Sequence, residues 1–573
     1  MGDLLGALRS RLASWKEGTL EPDLRQHPEV RSRFRTGSGE SEARTLYTPL
    51  DSRVRDEASY LEHLGFPGEY PFTRGRSPSG HRTFPWKLGF YSGFGNPADA
   101  NKRIRQLAEA GTSYVTLALD LPSQCGYDPD HPLAAGEVGR VGVCLTSLQD
   151  ALEVLDGVPL ERVGTGTVGN CIEPIMVGMF SAVAEQHGLD PGSVHVTLQN
   201  DPLKEYTGRG TYIIPIDPAV ELAADVTEFC VRNRRNWIPQ YACSTQLRWG
   251  GVNASEEMAF GIANFLTYVD RAVARGLRPE EVVPRTEGVH MTIDNDFFEE
   301  VAKLRATRRL WARIARERYK TDDPRVLALK LTIFTGAHRM TAQQPLNNIT
   351  RNATHVLAAL LGGVERISTP AYDEALALPT EESTRVANLT KLILLYENGI
   401  TNTVDPLAGS YYVEHLTDEL EGKAETLLAQ VQAMGGAVQA IESGFYEAAM
   451  LRGMKTQQEE IERGARTVIG VNAYQLDRPE RFELFQADER YERMQRERVV
   501  RLRRERDNRA VSAGLSDLRA VLRRKKAGEL VNSVPAFSTC VSAYATMAEM
   551  CGVMREVYGE YTPSFPLATL SRA

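Results

Sequence analysis

Between Thr83 and about Thr380 the sequence keeps one rhythm, a short run of β-forming residues followed by a stretch with helical periodicity, eight times over. The runs are TFPWKLGFY from Thr83, SYVTLALDLP from Ser113, RVGTGTVGN from Arg162, SVHVTLQN from Ser193, PQYACSTQ from Pro239, VVPRTEGVHMT from Val282, LKLTIFTG from Leu329 and ERISTPAY from Glu365. Helical stretches such as PADANKRIRQLAEAG from Pro97 lie between them. Strands joined through helices run parallel, and eight such units suit a closed (β/α)8 TIM barrel better than an open sheet, which more often ends at about five or six strands. A filled barrel wants Val, Ile and Leu inside. Several runs instead carry Thr165, Gly166, Thr167 and Gly169, or Ser244 and Thr245, or Thr332 and Thr335. Pointing inward, these leave an axial hole; the alternative is that they are outward positions or loop ends.

Residues 1–68 read as an N-terminal arm, with Leu4, Leu5, Leu8, Leu12 and Trp15 along one side of a helix and then the turn-rich FRTGSGESEARTLYTP. The barrel takes 69–400, and 401–573 is a helical region whose Arg-rich segment interleaves Glu and Asp as solvated or partner-facing helices do. A chain of 573 residues, 42% apolar, holds enough for more than one core. With 67 Lys and Arg against 75 Asp and Glu, the net charge of -8 speaks against a dedicated nucleic-acid binder. No apolar run approaches the length of a membrane span, and MGDLLGALRSRLASWKEG carries no export signal. Seven scattered cysteines, never spaced C-x-x-C, indicate neither a disulfide framework nor a zinc site, so the expected location is a reducing cytoplasm.

The common catalytic signatures, from the P-loop to H-E-x-x-H and G-x-S-x-G, do not occur. Polar residues collect instead at the C-terminal ends of the strand runs, the face where barrels place chemistry: Gln124, Tyr127 and Asp128, Asn170, Gln199 to Asp201, Gln246, His290, and Tyr372 to Glu374. That set is rich in amides and poor in acid–base pairs, so it suits holding a carbonyl and a large polar cofactor better than hydrolysis. A metal-dependent lyase built on Asp128, Asp201 and His290 lacks a carboxylate cluster with metal spacing. No metal site is expected.

Six blocks carry a family resemblance: FPGEYPFTRG at 66–75, GYDPDHPLAAGEVGRVGV at 126–143, LQNDPLKEYTGRGTYI at 198–213, LRATRRLWARI at 304–314, DEALALPT at 373–380 and DPLAGSYYVEHLTDEL at 405–420. Together they resemble the substrate-binding part of the adenosylcobalamin-dependent acyl-CoA mutases, the methylmalonyl-CoA mutase family. The resemblance implies a radical isomerase in which a thioester group migrates to a neighbouring carbon, with CoA threading the barrel axis. The family's cobalamin domain and its D-x-H-x-x-G motif have no counterpart, DPDHPLAAG having the wrong spacing, which implies a separate small cobalamin-binding subunit. Arm and tail look like surfaces for a homodimer or heterotetramer.

Residue by residue, the resemblance implies that Arg209 pairs with a free carboxylate on the acyl group, favouring methylmalonyl-CoA or a larger substituted malonyl-CoA. Gln199 is expected to hydrogen-bond in the active site. Tyr70, Thr73 and Arg74, with Thr165, Thr167, Arg285 and Lys330, are expected to hold CoA and the buried substrate end. Glu374 is expected to contact the adenosyl ribose, and Gln124 to face the cofactor. The sequence also departs from the family: His81 stands near a usual tyrosine, Thr245 and Gln246 replace a Tyr-His pair, and Phe334, Pro370 and Trp249 replace polar residues. Two readings follow, an active mutase with a reshaped pocket in which His81 and Gln246 substitute, or a catalytically silent paralogue that stabilises an active partner.

Overall fold

The computed structural model describes residues 2–29, 33–83, 87, 88, 90–93, 95–109, 112–478, 482, 484, 488 and 490–563. Among the described residues ten strands form two five-stranded sheets. They are β1 (Lys87–Leu88), β2 (Phe90–Ser92), β3 (Tyr114–Leu117), β4 (Gly164–Thr167), β5 (Val196–Leu198), β6 (Trp237–Ile238), β7 (Gln240–Cys243), β8 (Thr286–Ile293), β9 (Leu331–Thr335) and β10 (Arg366–Ser368). One sheet runs β1-β10-β9-β8-β7 and the other β2-β3-β4-β5-β6, and all eight pairings are parallel. Each of the eight sequence runs contains a strand. The run from Thr83 holds β1 and β2, while its positions 84–86 and 89 lie outside the described residues. The fold is therefore α/β with parallel sheets, and β1 and β2, like β6 and β7, are one residue apart in the chain.

Helices connect the other consecutive strands, and their starts follow local chemistry. Ser147 and Asp150 form a capping box at the helix Leu148–Leu155, as Asn253 and Glu256 do at Ala254–Ala274. Along the strands, alternate residues such as Val115 and Leu117, Val289 and Met291, Leu331 and Ile333, and Ile367 are buried in the apolar core.

The segments beyond the sheets are sewn onto them. In the arm, the Gly37 and Ser38 amides donate to Asp296 and Glu299 at 2.8 and 2.9 Å. From the tail, Arg503 on the helix Arg490–Glu505 pairs with Asp128 and Asp130 at 2.5 and 2.6 Å, and Arg555 donates to the carbonyls of Cys125 and Gly126. Among the described residues no helix is long and apolar enough to cross a membrane.

Candidate active site

The faces of the strands opposite the apolar core meet in a cavity of about 720 Å³. Period-two alternation puts Tyr114, Thr116 and Ala118 of the β3 segment on it, as it does Tyr241 and Cys243 of β7, His290 of β8, Phe334 of β9, and Arg366 and Ser368 of β10. Gln199, Arg209, Gln246, Trp249 and Glu374 come from the connections at the strands' C-terminal ends.

Aromatic rings and one cation make part of this lining. The Arg366 guanidinium lies 5.7 Å from the ring centres of both Tyr114 and Tyr241. Burial works against its charge, yet Glu287 and Tyr241 raise its pKa. The Tyr114 phenol occupies room that two glycines leave on β4: a Cβ on Gly164 would come within 2.7 Å of the ring, and one on Gly166 would collide with the hydroxyl and with the Thr197 carbonyl. His290 accepts from or donates to Thr332 Oγ1 through Nδ1 at 2.7 Å. Burial, then Arg366 and Lys204, hold it well below the usual histidine range, so the imidazole is neutral.

The amides and Arg209 form a second wall. Gln199 is buried and its Oε1 accepts from Lys204 Nζ. Gln246 is the second residue of the short helix Thr245–Trp249, and its Oε1 accepts from Cys243 Sγ at 3.1 Å. Arg209 has a side chain 22% exposed, and among the described residues its one carboxylate within 4 Å, Glu205, stands 3.9 Å away. Burial opposes the guanidinium charge, but Glu205 and the Tyr91 hydroxyl raise its pKa. At the cavity edge Glu374 has no side-chain hydrogen-bond partner among the described residues, and burial followed by Asp373 pushes its carboxyl up to about 7.

Comparison with known proteins gives this cavity a context. The sequence pattern that defines the family described as Methylmalonyl-CoA mutase matches residues 36–560. The chain belongs to the methylmalonyl-CoA mutase family. Members of this family are isomerases. The chain is 34% identical to the 2-hydroxyisobutanoyl-CoA mutase large subunit of Aquincola tertiaricarbonis, over 97% of this chain and 98% of that one. It is 35% identical to the methylmalonyl-CoA mutase of Rhizobium meliloti (strain 1021), over 95% of this chain and 75% of the relative. Against the methylmalonyl-CoA mutase of Escherichia coli (strain K12) the identity is 32%, over 90% and 71%.

Of the residues that the mutase resemblance singles out, the cavity gathers Gln199, Arg209, Gln246 and Glu374. Thr245 lines it too, and the other residues expected to bind or react sit elsewhere. His81 lies in the turn Gly80–Arg82, which packs on Ile400–Asn402. Tyr70 lies under the Arg316 guanidinium at 4.7 Å. Thr73 donates to the His63 carbonyl at 2.7 Å, and Arg74 bridges Asp405 and the Tyr60 hydroxyl at 3.3 and 3.0 Å. Thr167 donates to Glu173 at 2.9 Å, and Thr165 shares its face of β4. Arg285 caps the carbonyls of Cys230 and Trp237, and Lys330 those of Pro284 and Thr286. Gln124 is buried with Nε2 on the Leu119 carbonyl at 2.6 Å.

Phe334, Pro370 and Trp249, the sites of departure from the mutase pattern, all line the cavity, with Trp249 edge-on to Phe334 at 5.8 Å between ring centres. Tyr114, Tyr241, Arg366 and the buried Lys391 also line it and were not singled out from sequence. For Arg366 a signal existed, a charge inside a strand run two residues before Ser368. Asp128, Asp201 and His290 do not converge: the first pairs with Arg503, the second accepts from Tyr268 and the Cys243 amide, and the third holds Thr332.

Proposed function

We propose that this chain is the large, acyl-CoA-binding subunit of an adenosylcobalamin-dependent mutase that shifts the thioester group of a carboxylated acyl-CoA, methylmalonyl-CoA or a larger substituted malonyl-CoA, to the adjacent carbon. The observation that carries this reading is Arg209, a guanidinium on the cavity wall whose nearest carboxylate is 3.9 Å away, leaving donors for a substrate carboxylate in a largely dry site. Gln199 and Gln246 supply amides beside it for the thioester carbonyl. Phe334, Pro370 and Trp249 shape the acyl pocket and keep water from the reacting carbons.

The architecture proposed with this function is the closed (β/α)8 barrel. Its support is that each sheet begins and ends on strands adjoining the other sheet's in the chain, β1 beside β2 and β6 beside β7 across Pro239. Adenosylcobalamin, when bound, supplies the homolytic radical chemistry. The chain's own fitting group is Glu374, an acceptor without a partner among the described residues, suited to a ribose hydroxyl. A separate small cobalamin-binding subunit is proposed because the relative matched over 98% of its length is itself named a large subunit. A homodimer or heterotetramer in the cytoplasm completes the proposal; the seven cysteines are free thiols, as a reducing compartment keeps them.

The test is reconstitution with a small cobalamin-binding subunit and adenosylcobalamin, assayed on a panel of carboxylated and uncharged branched acyl-CoA thioesters. Turnover of a carboxylated substrate is expected. Arg209→Gln should lower its kcat/KM about 30- to 100-fold and leave uncharged substrates within about threefold. A complex that binds substrate yet gives no turnover supports the silent paralogue; a preference for uncharged acyl groups removes the role given to Arg209.

A further inference from the structure

A primary amide offers an acceptor at one end and two donors at the other, so what it presents to a ligand depends on what holds its other end. Gln199 and Gln246 both line the cavity with Arg209, and in both the oxygen is already taken. Lys204 lies five residues after Gln199, on the turn Pro202–Tyr206, and its fully buried ammonium contacts Gln199 Oε1. An ammonium has donors only, so it selects the oxygen and turns Nε2 away from itself. Cys243 ends β7 three residues before Gln246, and its Sγ stands 3.1 Å from Gln246 Oε1. Burial first, with the Asp201 carboxylate, keeps this thiol protonated against the pull of Lys204, so the sulfur donates. Neither Nε2 has a partner among the described residues, and both side chains line the cavity beside Arg209.

We propose that Lys204 and Cys243 are positioning residues that turn Gln199 and Gln246 donor-first, so that this wall of the cavity forms a donor-only site for the carbonyl oxygen of an acyl thioester. The proposal rests on the acyl-CoA reading above and deepens it. Without the tether an amide is free to rotate its oxygen towards the ligand's oxygen, replacing attraction by repulsion. Burial lowers the Lys204 pKa and Arg209 adds to this, while Glu205 and Asp201 act in the opposite direction. Glu205 lies 3.7 Å from its Nζ, and Asp201 is near enough to be felt, while Asp201 itself is held by the Tyr268 hydroxyl and the Cys243 amide.

The experiment compares two probes on the purified full chain by calorimetric titration, methylmalonyl-CoA and the thioether S-(2-carboxypropyl)-CoA, which keeps the carboxylate and lacks the carbonyl oxygen. The wild-type chain is expected to bind the thioester about tenfold more tightly than the thioether. Lys204→Met and Cys243→Ala should each weaken the thioester about three- to tenfold and leave the thioether unchanged within twofold. Cys243→Ser, which retains an O–H donor, should keep the preference. Lys204→Met in a Gln199→Met background should lose nothing further, and the bound ¹³C=O stretch should return towards its value in water in each tether variant. Equal binding of the two probes by wild type, or variants that weaken both probes alike, overturns the positioning role. Failure of the wild-type chain to bind either probe overturns the acyl-CoA reading itself. If Lys204→Met proves insoluble, the Cys243 pair of variants decides.

Discussion

Two sets of hydrogen-bond donors behave differently in this molecule. On the helix Phe297–Tyr319, Arg305 pairs with Asp405 and Glu414, and Arg309 with Asp418 and Glu421 at 2.7 and 2.6 Å, while Arg308 donates to the carbonyls of Phe72 and Thr73. On the cavity wall, among the described residues, Arg209 has one carboxylate within 4 Å, at 3.9 Å, and the Gln199 and Gln246 nitrogens have no partner. Buried charge with its bonds made inside the chain holds elements together; buried donors left over hold something else. Both Arg74 and the LRATRRLWARI block carry the family resemblance, yet Arg74, Arg305 and Arg309 fall on the first side of this division.

The division can be broken experimentally. The largest effect is expected from Arg305→Met, which removes the cation held by Glu414 and leaves Asp405 with Arg74 alone, and should lower stability in urea by about 3–5 kcal/mol. Arg209→Gln, by contrast, should leave the urea midpoint nearly unchanged while weakening carboxylated substrates as stated above. Thr167→Val takes away the hydroxyl that donates to both oxygens of Glu173, a carboxyl that burial already pushes up to about 7. A stability loss of about 1–2 kcal/mol with unaltered acyl-CoA affinity is expected, whereas a CoA contact at Thr167 would show as lost affinity.

The smallest effect concerns Glu374. Its carboxyl is raised by burial and by Asp373 to about 7, so it passes from mostly neutral to mostly ionised between pH 6 and 8. An ionised acceptor binds a hydroxyl more strongly, so affinity for 5′-deoxyadenosine should rise by roughly threefold over that interval, and Glu374→Gln should flatten the profile. The folded chain holds this proton to higher pH than the unfolded chain does. Its share of stability is therefore greatest below the ordinary glutamate pKa and declines as pH climbs towards 7.

Much of the scaffold was legible because alternation of strand and helix is a property of local sequence. Each run from Thr83 to Tyr372 holds a strand, and the helical tail is helical. The strand interiors were harder to read. Period two says that Thr165 and Thr167 share a face but not which face, and the partner that decides it, Glu173, lies on the following helix. Thr335 likewise turns to Asn352, on the helix Asn347–Leu361, at 2.7 Å. Gln199, Gln246 and Glu374 were legible because they follow strand ends, where such polar residues have little structural use, whereas Arg209 was legible only through the family resemblance. Tyr114 and Tyr241 escaped because a tyrosine in a strand is ordinary until its neighbours across the sheet are known.

The fit of Tyr114 over Gly164 and Gly166 has one further consequence. Bulk on one strand is matched by its absence on the next, so the calibre of the interior is a joint property of adjacent positions. Relatives that carry a wider passage must have altered both members together, because a side chain added at Gly166 meets a backbone carbonyl and a small residue at 114 alone leaves an unfilled gap. Residues 114, 164 and 166 should therefore drift through sequence space as a linked trio.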